Sequence, residues 1–274
     1  LMLRVFFPQL AQVTLGHPGI LARMPQSSRL LSLDVFRGVT IASMILVNNP
    51  GSWTHVFPPL RHAEWHGWTF TDLVFPFFLW MVGVSMTFSF ARRLEEGADR
   101  AQLYLHTVRR GLMIFGLGLL LNLIPRFDFA HVRIPGVLQR IGICYLLAAA
   151  IFLLTSRRGQ VVAIIALLAL YSVLMLPGGF AKESNFARDI DSLLLSGHMW
   201  SQTKVWDPEG VISTIPAIAT VLFGALAGHL LRSPQALVEK AVWLFFSGTL
   251  LIITAGLLEP WIPVNKNLWT TSYS

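Results

Sequence analysis

The chain has 274 residues, of which 54% are hydrophobic and only 13% charged, and it carries a formal net charge of +7. So much apolar content, gathered in long runs, excludes an ordinary soluble domain and points to an integral membrane protein. The basic residues are dispersed over short loops, with no stripe interleaved with aromatics, which speaks against nucleic acid as a partner and leaves membrane lipid as the surroundings.

Residues 1–28 contain Pro8, Gly16, Pro18 and Gly19 and lack an uninterrupted apolar core. They read as a non-conforming extension, with Met24 the better candidate start, and residues 29–274 form the membrane domain. Apolar segments then follow at Leu33 to Val47, Thr71 to Phe90, Gly111 to Ile124, Val137 to Leu154, Val161 to Leu176, Ile212 to Leu231 and Ala241 to Leu258. A helix needs about 20 residues to cross the hydrocarbon, and these come close, the first and third being short. Continuous apolar runs without alternation exclude a barrel, so the fold class is all-α, a polytopic helical bundle of about seven spans. The single Cys144 lies within a span, so no intrachain disulfide forms.

Arginine and lysine set the orientation. Arg29, Arg37, Arg92, Arg93, Arg100, Arg109, Arg110, Arg157, Arg158, Arg232 and Lys240 fall on one side, mostly in short loops, and that side is expected to be cytoplasmic. Arg61, Arg126, Arg133, Lys182, Arg188, Lys204 and Lys266 are spread over longer loops on the other. The expected setting is a bacterial inner membrane.

Chemistry concentrates in RHAEWHGWTFTD, from Arg61 to Asp72, where a histidine-rich stretch runs straight into the second span. His62 and His66 would share one helical face, with Asp72 about where the chain enters the lipid. A histidine titrating near neutrality can take a proton from an attacking nucleophile, which makes His62 a candidate general base. Asn48, at the end of the first span, is placed to orient that imidazole or to hydrogen-bond a developing oxyanion. From the residues alone, Asn48 as a helix cap and His62 with Trp65 as interfacial anchors are equally open readings.

His55, His62 and His66 do not follow the H-E-x-x-H order of zinc proteases, and no metal is expected. Ser201 to Lys204 match S-x-x-K without its partner motifs, a chance match, and nucleotide-binding glycine loops and G-x-S-x-G are missing from the sequence. LDVFRG sets Asp34 and Arg37 at i and i+3, an ion pair or an anion contact. Arg140, one turn inside the fourth span, must face the bundle interior, and its candidate partners are Asp72, Asp207, Glu209 or an anionic ligand. The long outer connection from Pro177 to Val211 offers Asp207, Glu209 and His198 for holding an ammonium or hydroxyl. Arg92, Arg93, Arg109 and Arg110 form a basic loop that would attract a nucleotide phosphate, although orientation alone already explains it.

LDVFRG at Leu33, VNNPGSW at Val47, HAEWHGWTFTDLVFPFFLWMVG at His62, RIPGVLQRIG at Arg133, DPEGVISTIPAI at Asp207 and PVNKNLWTTSYS at Pro263 occur in this order. This series resembles the motifs of the heparan-alpha-glucosaminide N-acetyltransferase family and its bacterial relatives. The resemblance implies transmembrane acetylation, from cytoplasmic acetyl-CoA as co-substrate to the amine of a glucosamine-type sugar or glycan on the far side. It carries the family's catalytic histidine to His62 and its functional asparagine to Asn48. It leaves Asp72, Arg140, Asp207 and Glu209 as acceptor-binding candidates and Arg37, Arg109 and Arg110 as acetyl-CoA-binding candidates. Family members continue past NKNLWTTSY into further helices, so the chain is expected to be a C-terminally truncated part of the domain. An amino-sugar carrier, or a purely structural membrane subunit, are the competing readings, and homo-oligomerisation stays open.

Overall fold

A computed structural model describes residues 30–125 and 127–274. Arg29, Arg126 and the N-terminal extension with its candidate start at Met24 lie outside the described residues. Among those described there are eight α-helices: α1 (Leu31–Asn48), α2 (Phe70–Glu95), α3 (Arg100–Leu123), α4 (Val137–Leu154), α5 (Arg157–Met175), α6 (Phe186–Leu194), α7 (Val211–Leu231) and α8 (Leu237–Leu258). No strand interrupts them, so the expected all-α bundle is what forms.

Six of these helices, all except α3 and α6, are long and apolar enough to cross a membrane. The protein is a multi-pass membrane protein. The expected third span is helical, but α3 begins at Arg100, eleven residues ahead of Gly111. Its extra turns carry His106, Arg109 and Arg110, which lower its apolarity below that of the other six. The connection after α5 contains α6, whose N-cap Asn185 accepts from the Arg188 N–H at 2.8 Å.

The chain divides into two compact units, residues 1–38 and residues 39–274. In the first, the beginning of α1 carries the ion pair Arg37–Asp34 at 2.9 Å. The second holds the core, centred on α7, which is buried around most of its circumference. Leu79, Met86 and Phe90 of α2, Ala148 and Ala149 of α4 and Ala217, Val221 and Leu222 of α7 form its centre.

Helices in lipid gain little from the hydrophobic effect against one another and depend on close backbone approach. At the α2–α7 crossing there is no room for a side chain on Gly83 against the Val221 carbonyl, nor on Gly224 against the Trp80 carbonyl. The Thr87 hydroxyl donates to Ala225 O at 3.2 Å across the same contact.

Helix ends gather at opposite ends of this unit. At one, Arg100 donates to Leu153 O at 2.9 Å and Arg232 pairs with Glu95 at 2.6 Å. At the other, the loop after α1, the connection around α6 and the segment after α8 fold over the bundle. There Trp65 Nε1 donates to Phe180 O at 2.8 Å and Gly67 N to Val264 O at 2.7 Å. The last segment turns inward at Trp269, whose left-handed backbone (φ 51°) aims the indole into the core, where its N–H meets Thr220 Oγ1 at 3.1 Å.

Gly224→Val should lower the melting temperature of the detergent-solubilised protein, at a cost of about 1–3 kcal/mol for overpacking. Gly248→Val, on α8 where nothing lies within 4 Å, should leave it in place.

Candidate active site

The site starts from the N-terminus of α2, whose first N–H groups have no partners within the helix. Asp72, in its first turn, answers this with a carboxylate that is 1% exposed. Its Oδ2 accepts from Thr69 N at 3.0 Å and, outside the helix, from Ala63 N at 3.0 Å. Its Oδ1 lies 2.7 Å from His62 Nδ1. A carboxylate only accepts, so the imidazole carries its hydrogen on Nδ1 and leaves Nε2 as the lone-pair nitrogen. The His62 side chain is 51% exposed, with its anchored edge inside and its free edge outside.

Pro76 has no N–H and so leaves the Asp72 carbonyl without its helical partner. The Tyr273 hydroxyl takes that carbonyl at 2.5 Å. The backbone and the side chain of Asp72 are therefore both fixed, from different segments of the chain.

His62 opens on a cavity of about 690 Å³, lined also by Asn48, Glu64, Trp200, Trp206, Glu209 and Lys266. Phe75, Phe78 and Val74 of α2 form part of its apolar wall. Lys266 reaches it from the segment after α8, with Nζ 3.4 Å from His62 Nδ1 and 3.9 Å from Asp72 Oδ1. Burial pulls the Lys266 ammonium below the usual lysine range, the charge of Arg140 adds to this, and Glu209 and Asp72 oppose it.

Arg133 closes the far wall. Its guanidinium binds both oxygens of Asp207, through Nε at 2.9 Å and Nη2 at 2.6 Å, and Glu209 at 2.6 Å. Burial alone would lower it, but these two carboxylates outweigh burial and hold it above the ordinary arginine value. Asp191 of α6 supports the same corner by accepting from Val211 N at 3.0 Å and Asp207 N at 3.1 Å. Burial, helped by the charge of Asp207, pushes its pKa up to about 6 against the two backbone bonds and Arg140.

The model of the family described as "Heparan-alpha-glucosaminide N-acetyltransferase, catalytic" matches residues 29–256. The chain belongs to this family. It is 30% identical to the Homo sapiens heparan-alpha-glucosaminide N-acetyltransferase over 89% of its own length, and 28% identical to the Mus musculus protein over 92%. It spans less than half the length of these relatives, 46% and 47%. The resemblance read from the six ordered motifs thus names the right family.

Five of those motifs, from VNNPGSW to PVNKNLW, supply residues to this corner of the family fold. His62, Asn48 and Glu209 line one cavity. Several expectations need correction. His62 and His66 do not share a helical face, because residues 61–69 are irregular, bounded by Pro58 and Pro59 and turned by Gly67 at φ 88°. Asn48 does not orient the imidazole, since its amide N–H₂ donates to Met44 O of its own helix at 2.9 Å and Asp72 holds His62 instead. Asp72 is thereby the partner of His62, with its oxygens occupied. Asp207, also buried, is saturated by Arg133, Trp200 N and Glu209 N.

Arg140 reaches none of the three carboxylates expected for it. Its Nη2 donates to Gly210 O at 3.3 Å and to Ser213 Oγ, its plane lies 5.1 Å from the Trp269 ring, and Nε and Nη1 have no hydrogen-bond partner. Arg133, four residues before α4, takes two of those carboxylates, Asp207 and Glu209, and His62 takes the third, Asp72. His198 is held by Val132 O at 2.8 Å, close to this corner but not in the cavity wall. Arg109 and Arg110 lie on α3, and Arg110 stacks on Tyr145 at 5.8 Å, away from the cavity wall.

Arg133 and Lys266 are the candidate site residues that pattern reading passed over. Both stand inside quoted motifs, but each was counted only as a loop charge, and no spacing rule links residue 62 to residue 266.

Arg133→Ala leaves Asp207 and Glu209 as uncompensated charges and should destabilise the protein by about 3 kcal/mol, with Arg133→Lys losing less, as read by thermal unfolding in detergent. Asp191 makes stability depend on pH. Its folded pKa lies above the ordinary 3.8, so its contribution is complete below about pH 4 and is lost as the pH rises through about 6. The melting temperature of the native protein relative to Asp191→Asn should therefore fall between pH 4 and pH 7.

Proposed function

We propose that this chain carries the acetyl-transferring site of a membrane N-acetyltransferase, which moves an acetyl group from acetyl-CoA to the amine of a glucosamine-type sugar. The observation that carries the proposal is the His62–Asp72 pair, a buried carboxylate 2.7 Å from an imidazole that opens on a cavity of about 690 Å³. The relatives' name adds the reaction and the acceptor class.

A sugar ammonium must lose a proton before its nitrogen can attack a thioester. Nε2 of His62 takes that proton, and Asp72 stabilises the imidazolium that results while fixing the ring. The amine nitrogen bonds to the acetyl carbon and gives up its second proton to water, the carbon–sulfur bond breaks, and the thiolate leaves with the proton that His62 returns, so that each turnover releases one proton to solvent. Direct transfer of this kind needs no acetyl-histidine intermediate. Asn48, in the same cavity, supplies an amide for the developing oxyanion. Trp200 and Trp206 offer flat apolar faces to a sugar ring, and Glu64 and Glu209 offer acceptors to its hydroxyls and ammonium. The distribution of basic residues supports a cytoplasmic donor and an acceptor reaching the opposite side of the membrane.

The test uses membranes containing the full reading frame, labelled acetyl-CoA and a panel of glucosamine acceptors. Native protein should yield acetylated sugar, and a folded His62→Ala should fall by at least about 100-fold. Asp72→Asn, which cannot accept from Nδ1 in the same way, should lower kcat more than it raises KM. Sugar flux without acetyl-CoA and without product would instead identify a carrier.

A further inference from the structure

Lys266 stands out among the charged groups at this end of the protein. Its side chain is only 17% exposed, yet its acidic contact is a carboxylate 3.9 Å away, too long for a hydrogen bond. A lysine buried for stability alone would be expected to sit in a closed ion pair, as Arg133 does. Lys266 instead sits at the wall of the cavity, 3.4 Å from His62 Nδ1. That nitrogen has one in-plane bonding direction, already given to Asp72 at 2.7 Å, so the approach of Lys266 is a contact of charge.

We propose that Lys266 is a positioning residue of this site: its ammonium, seated against both members of the His62–Asp72 pair, keeps Asp72 ionised and Nε2 of His62 unprotonated for the incoming amine. The assignment of Nε2 to an amine rests on the acetyltransferase reading. The electrostatic argument does not.

The surroundings favour a cation that acts on its neighbours. The cavity beside the pair is also lined by Glu64 from the same loop, Glu209 from the loop before α7, and Lys182, Glu183 and Arg188 from the connection around α6; the charge of Arg140 from α4 reaches Lys266, and the Tyr273 hydroxyl donates to the Asp72 backbone. Glu209 is already bound to Arg133, and Arg140 is a cation itself. Lys266 is thus the cation nearest the pair among the described residues. A positive charge beside an imidazole opposes a second proton on the ring, and one beside a carboxylate favours its ionised form. With Lys266 removed, Asp72 would pair with an imidazolium, and the ring would hold its second proton to higher pH. The base would then be blocked in the range where it is needed.

Two readouts test this on the full-length protein in membranes. The first is carbethoxylation of His62 by diethylpyrocarbonate, followed by peptide mass spectrometry across pH, since only the unprotonated imidazole reacts. In Lys266→Met the acid fall in His62 modification should move upward by about one pH unit or more, a tenfold change in proton affinity. Lys266→Arg should keep the native curve. The second is the acid limb of kcat/KM for acetyl transfer, which should move with it, so that Lys266→Met regains rate at alkaline pH.

Superimposable modification curves for native protein and Lys266→Met would overturn the proposal, as would a rate loss equal at every pH. Lys266→Gln serves as a second neutral variant if Lys266→Met does not elute as a folded species. The chemical readout needs no acetyl-CoA, so a shifted curve without any acetyl transfer would uphold the role of Lys266 and reject the acetyltransferase reading. Transfer with an unshifted curve would do the reverse.

Discussion

The corner that holds the candidate site depends on one buried carboxylate. An ionised side chain removed from water is costly unless its lone pairs are all used, and Asp72 uses them on the Thr69 and Ala63 N–H groups and on His62. That requirement ties the start of α2, the irregular loop before it and the imidazole into one unit. The ring cannot rotate away without stranding Asp72. The demand of Asp72 for a donor converts a flexible histidine into one fixed in orientation.

The bundle and its polar end divide the work. Gly83 and Gly224 let α2 and α7 touch backbone to backbone, so the ends of these helices are fixed by packing that involves no charge. The polar groups then come from segments far apart in sequence, including the loop at 61–69, Arg133 before α4, Asp207 and Glu209 before α7, and Lys266 after α8. Arg133, Asp207 and Glu209 are held by bonds outside the His62–Asp72 pair, whereas Lys266 seats against the pair itself. A site assembled in this way is preorganised: its polar groups are set before any ligand reaches the cavity.

Much of this was legible in the sequence for simple reasons. Apolar runs fix spans because a bilayer leaves the backbone no alternative, and the ends of α2, α4 and α7 fall close to where hydropathy puts them. The third run was blurred because α3 extends through His106, Arg109 and Arg110 before it becomes apolar. Candidate residues within one motif, such as His62 and Asp72, were found together. The pairing between them was not, because a periodic helix was assumed where Pro58, Pro59 and Gly67 impose an irregular chain. Arg140 and Arg133 exchanged expected roles for a related reason. Hydropathy says that an intramembrane arginine needs a partner, but a stack on Trp269 and contacts with Gly210 and Ser213 are tertiary facts without a local signature.

The bond from the Tyr273 hydroxyl to the Asp72 carbonyl spans 201 residues. At the usual pace of translation, about 5–20 residues per second, the ribosome needs roughly 10–40 s after Asp72 before Tyr273 exists. For that interval the gap left by Pro76 stands open, Gly67 has no Val264 to hold it, and Lys266 has not been made. The loop bearing the imidazole must wait while the helices from α3 to α8 are made. Completion of this corner therefore comes well after its first residues are synthesised, and a nascent chain arrested before the segment that follows α8 would present α1 to α8 with an unformed site.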